Sequence, residues 1–142
     1  MKYTVPRPYD HIMNFDFPYY WAVSTLPTTA RDPKTDKLVD LSIPIRPCVL
    51  LLPISEGRTV ERSFPGGTVY CLFDWLYDFY HEPVEAIDIT YLIPRTEGAE
   101  QERLLQCLTR QKIGCLLCRL DLLDPQDPSF LGIDEGLVIL GS

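Results

Sequence analysis

The apolar residues change their period once, within residues 58–93, and that change restricts the fold more than any other feature of the chain. From Arg58 to Phe64 the residues alternate. Val60 and Phe64, with the stem of Arg62, share one side; Thr59, Glu61 and Ser63 share the other. A period of two is the mark of a half-buried strand. Pro65-Gly66-Gly67 follows. Proline presets the φ of the first central turn position and glycine accepts the positive φ of the second. Thr68 to Phe73 then resumes with β-branched and aromatic residues, Val69, Cys71 and Phe73 on one face, so a hairpin centred on Gly66 is expected.

From Leu72 to His81 the spacing becomes helical. Leu72, Trp75, Leu76, Phe79 and Tyr80 fall on one side, and Asp74, Asp78 and Glu82 form an i, i+4, i+8 stripe opposite. Pro83 stops the helix, which is short enough to need tertiary packing. Residues 73–80 hold five aromatics. The ordinary reading of these rings is core. The sharper reading is that Trp75, Tyr77 and Tyr80 line a pocket or a partner surface, because aromatics of this size dominate core and interface energetics.

Val84 to Ile93 alternates again, with Ile87, Ile89, Tyr91 and Ile93 on one face and Ala86, Asp88, Thr90 and Leu92 on the other; a strand ending at Pro94 is expected. Residues 99–113 read as a helix, with Glu97, Glu100 and Glu102 near its start, Arg110 and Lys112 near its end, and Gly114 beyond. Residues 115–123 alternate as a strand. Strand, helix and strand together make a β–α–β unit with parallel pairing. Residues 19–25 suit a first strand, 26–37 an exposed loop, 38–52 one long strand or two in line, 124–136 a Pro- and Asp-rich loop, and 137–140 a short last strand. Pro44 and Pro47 place the 38–52 segment at an edge or a bulge. Val49 to Leu52 is apolar on both faces and is expected to be buried. The fold class is therefore α+β: a mixed, mostly antiparallel sheet with two helices packed on it and one β–α–β unit near the C-terminus.

At 142 residues the chain is one domain, long enough for a proper core. Its net charge is −7, unevenly spread: residues 1–71 hold eight Lys/Arg and seven Asp/Glu, residues 72–142 five and thirteen. An acidic second half argues against a nucleic-acid ligand, whose phosphates need clustered cations. It suits a cationic small molecule or a basic protein. No apolar run reaches the length of a membrane span, and the N-terminus lacks the apolar stretch of a secretory signal, so a cytoplasmic, membrane-free protein is expected. Five cysteines, an odd number at irregular spacing, read as free thiols.

No catalytic signature is present. Cys115-Leu-Leu-Cys118 lies past a helix C-terminus, whereas a redox CxxC needs a helix N-terminus to activate its thiolate. As a zinc site it would need more ligands, and Cys107, His11 and His81 lack the spacing. His81, flanked by Asp78, Glu82 and Glu85, has no nucleophile to serve; a helix C-terminal role is the simpler one. Gly66-Gly67 lacks the Lys-Ser/Thr of a phosphate loop. Asp124, Asp127, Asp134 and Glu135 are too loosely spaced for a calcium loop. No catalytic residue, metal or cofactor is assigned.

The turn Phe64-Pro65-Gly66-Gly67-Thr68-Val69-Tyr70 and the segment Asp88-Ile89-Thr90-Tyr91-Leu92-Ile93-Pro94 carry one resemblance. The run from Val60 to Pro94 resembles the effector-binding domain of the gyrase-inhibitor-like family, which includes multidrug-sensing transcription regulators. The resemblance implies an α+β fold whose cleft binds small, often cationic and aromatic, molecules. The family's pocket carboxylate falls at Thr90, with Asp88 on the same face nearest to it. The expected ligand-binding residues are Trp75, Tyr91, Tyr70, Asp88 and Trp21. The alternative is an acidic interaction module, such as an inhibitor, immunity or adaptor protein, binding a basic partner through Asp74, Asp78, Glu82 and Tyr77.

Overall fold

The Pro65-Gly66-Gly67 turn does not fold the chain into a hairpin; it launches a helix. The computed structural model describes residues 13–55, 57–123 and 128–141. In chain order its strands are β1 (Phe15–Asp16), β2 (Pro44–Ile45), β3 (Cys48–Ser55), β4 (Arg58–Phe64), β5 (Gly67–Thr68), β6 (Ser129–Asp134) and β7 (Leu137–Gly141). Its helices are α1 (Val69–Tyr80), α2 (Ala86–Leu92) and α3 (Gly98–Lys112), with short 3-10 turns at Pro27–Thr29, Ile93–Arg95 and Arg119–Leu122. The fold is α+β, with a five-stranded mixed sheet in the order β1-β6-β7-β3-β4 and a two-stranded sheet formed by β2 and β5.

The hairpin involving β4 lies one element earlier than the sequence suggests. β4 pairs antiparallel with β3, Cys48 opposite Phe64 and Leu52 opposite Val60. After Gly66, at φ +90°, the chain forms only a two-residue pairing with β2, and Thr68 then caps α1 by accepting the Cys71 amide at 3.3 Å. The cap decides the matter: Val69 and Phe73 suit a strand face, but they also join Leu72, Leu76, Phe79 and Tyr80 on the buried face of a helix.

The β–α–β unit is not formed. The expected strand 84–93 is instead helical over Ala86–Leu92, as α2, because Glu85 and Asp88 cap it: the Asp88 carboxylate accepts the Glu85 amide at 2.7 Å. The second half of the family resemblance therefore falls on a helix. Residues 115–123 form an extended stretch and a 3-10 turn, held by one bridge between Pro83 and Cys118. The parallel pairing lies elsewhere, between β3 and β7 at Leu51 and Leu137. The expected loop 124–136 contains strand β6, and residues 19–25 form isolated bridges at Tyr20 and Ala22 only. The helix of 99–113 and the last strand appear where the sequence places them, as α3 and β7.

Two cores result. The larger lies between α1, the N-terminal segment and one face of the sheet. Its centre is Phe73, on which Trp21 stacks at 4.1 Å between ring centroids and 4° between planes. Phe17 and Phe130 meet the same ring edge-on at 4.9 and 5.3 Å. The smaller core joins α2 and α3 through Ile89, Leu92, Leu104 and Cys107.

Phe73→Ala is expected to cost about 3–5 kcal/mol, read by chemical denaturation. Gly132 sits at φ +143° under the Phe15 carbonyl, where a side chain would meet backbone. Gly132→Ala is expected to cost about 1–3 kcal/mol and to free β1 from the sheet, seen as lost amide protection at residues 15–16.

Candidate ligand-binding cavity beneath helix α2

Helical spacing puts Asp88 and Tyr91 three residues apart on one face of α2. Below that face lies a cavity of about 380 Å³. Its apolar walls come from Ile54 and Val60 of the β3–β4 hairpin, Ile87 and Leu92 of α2, and Leu122. Tyr91, Asp88 and Arg119 are its polar edge.

Arg119 is held in place. Its Nε donates to Glu82 Oε1 at 3.0 Å, and Arg62 Nη1 donates to Glu82 Oε2 at 3.2 Å. Both guanidinium groups lie over Phe79, at 4.5 and 5.1 Å from the ring centre. One carboxylate thus ties β4, the end of α1 and the 119–122 turn together. Partial burial pushes the Glu82 carboxyl up, but the hydrogen bonds and charges of the two arginines outweigh this and hold it below its ordinary value. Arg95 lies 3.7 Å over the Tyr91 ring and donates to the Tyr91 carbonyl at 2.7 Å.

Of the five expected ligand-binding residues, the cavity brings together Tyr91 and Asp88. Tyr70 lines a different groove, of about 480 Å³, with Leu38, Leu41 and Thr68. Trp75 is half-buried, edge-on to Phe64 at 5.4 Å. Trp21 is fully buried in the main core, its indole N–H donating to the carbonyls of Thr25 and Leu26. The lining residues that sequence reasoning missed include Ile54, Val60, Ile87, Leu122 and Arg119. Their signal was present only in part, since Val60 was placed on the buried side of β4.

On the alternative surface, Asp74 and Asp78 are exposed on α1, whereas the Glu82 carboxylate is engaged by two arginines. Tyr77 stacks on His81 at 3.9 Å, and His81 Nδ1 donates to the Tyr77 carbonyl at 2.7 Å, which caps the helix end. Burial raises the thiols of Cys107 and Cys118. Cys71, exposed in the first turn of α1, moves down because the Thr68 side chain and backbone bond to it. Among the described residues no three His, Cys, Asp or Glu side chains gather as metal ligands, and no helix is long and apolar enough to cross a membrane. His11, Asp124 and Asp127 lie outside the described residues. Comparison with protein-family models, with curated proteins and with solved structures finds no match for this chain.

Because the folded-state Glu82 carboxyl is depressed, its stabilisation is complete above the ordinary value of 4.5 and is lost as pH falls through the lowered one. Glu82→Gln is therefore expected to melt below the wild type at pH 7, with the gap closing on acidification. A gap that stays constant in acid would show that charge is not its cause.

Proposed function

We propose that this chain is a non-catalytic domain that binds small aromatic or cationic organic molecules beneath α2. The observation that carries the reading is the cavity itself: apolar walls, one aromatic ring, one carboxylate and an arginine whose charge Glu82 balances converge on a space within the usual range for ligand pockets, about 300–1,000 Å³. An aromatic body fits against Ile54, Val60 and Leu122. A cationic group is drawn to Asp88 and to the Tyr91 ring, where it competes with Arg95 for the π-face. This is the ligand class that the resemblance to gyrase-inhibitor-like domains implies. A second reading, an acidic module for a basic protein, is favoured by the exposed carboxylates of Asp74 and Asp78, one turn apart with Tyr77 beside them.

The test is a thermal-shift titration with tetraphenylphosphonium and ethidium. Saturating ligand stabilises by mass action, about 2.7 kcal/mol at 100 times the dissociation constant. Tyr91→Ala and Asp88→Asn are each expected to remove most of the shift. Tyr91 is exposed and asparagine can still accept the Glu85 amide, so neither change should unfold the protein. Trp75→Ala is expected to lower the melting temperature and to leave ligand affinity intact. Absence of any shift, or a shift undiminished in both cavity variants, would reject the reading.

A further inference from the structure

The five-stranded sheet has two faces, and the described residues cover only one. Helix α1 packs on the side of Leu50, Leu52, Phe130 and Val138. The other side carries Val49 and Leu51 of β3, Leu131 of β6, and Leu137 and Ile139 of β7, none of which belongs to either core. Val49 is 37% exposed and Leu131 50%. The open face of an antiparallel sheet is normally polar, so strands alternate apolar and polar. Here β3 is apolar on both faces yet buried on one.

The register shows how this surface ends. Asp134 pairs with Leu137, Leu137 with Leu51, and Leu51 with Glu61. One cross-strand row therefore reads acid, leucine, leucine, acid. Asp16, opposite Gly132, adds a third carboxylate to the same side. On the described strands of this face the charged residues are acidic; Arg58 and Arg62 of β4 share the parity of Val60, on the inner side.

We infer that the outer sheet face docks a protein partner whose apolar surface is flanked by lysine or arginine. The aliphatic row supplies the dry centre and the carboxylates at both ends supply complementarity to cations, the arrangement of core and rim found in specific interfaces. A second copy of this chain does not fit as well. A two-fold interface apposes the same patch on both subunits, and the acids at its ends would face one another. The inference rests on the sheet and is independent of the cavity.

The probes are an amphipathic leucine–lysine helical peptide and its leucine–glutamate counterpart, each fluorescently labelled and titrated with the full chain. The lysine peptide is expected to bind at least about tenfold more tightly than the glutamate peptide. Val49→Thr with Leu131→Thr changes no charge and places β-compatible residues at the two most exposed aliphatic positions, so the fold is retained. This pair is expected to weaken lysine-peptide binding about tenfold while leaving the ethidium shift unchanged. Glu61→Lys with Asp134→Lys keeps the aliphatics and is expected to reverse the preference between peptides. Equal binding of both peptides, no binding of either, or undiminished binding by the threonine pair would overturn the inference. So would a dimer in sedimentation that the threonine pair dissolves, which would make the occupant a second copy.

Discussion

The stack of Trp21 on Phe73 is the contact on which the rest of the structure depends. It pins the irregular N-terminal segment to α1, and through Phe130 it pins both to the sheet. Large aromatic faces in contact combine buried area with geometric preference, so they fix orientation as well as proximity. With α1 fixed, its far end is fixed too. The buried Tyr80 hydroxyl donates to the Pro53 carbonyl at 2.8 Å, and burial pushes the phenol well above its ordinary value, which keeps it a donor. Glu82, two residues on, then gathers Arg62 and Arg119. The cavity edge is set by this chain of contacts, which begins in a core some distance from it.

The hairpin β3–β4 serves two surfaces at once because strand side chains alternate. Ile54 and Val60 point to the inner side and line the cavity, while Val49 and Leu51 point to the outer side. Of the two apolar faces of β3, one meets α1 and the other stays partly exposed.

Much of this fold was legible in the residues. The helical spacing after Leu72, the charge order of α3, the alternation of β4 and the short last strand β7 all appear in place. The segment 84–93 was not legible as a helix, because Ile87, Ile89, Tyr91 and Ile93 satisfy a strand period and β-branched residues favour that reading. The competing signal was local: Glu85 and Asp88 at capping positions after Pro83. That difference matters for the site. On a strand Asp88 and Tyr91 point to opposite faces, but three residues apart on a helix they share one. Strand β6 was hidden by the Pro- and Asp-rich residues before it. Trp21 was read as a ligand contact because an isolated tryptophan in a short segment shows nothing of its partners. Phe73 lies 52 positions away in the chain, and only the fold brings the two rings together.

The central claim is that a small aromatic cation binds beneath α2, and amide NMR spectra recorded during an ethidium titration test it most directly. The account predicts progressive shifts concentrated at Ile54, Val60, residues 84–92 and Arg119, with the Trp21–Phe73 region and the Leu38–Tyr70 groove unmoved. Shifts concentrated at that groove, or a spectrum that ethidium leaves unchanged, would contradict it.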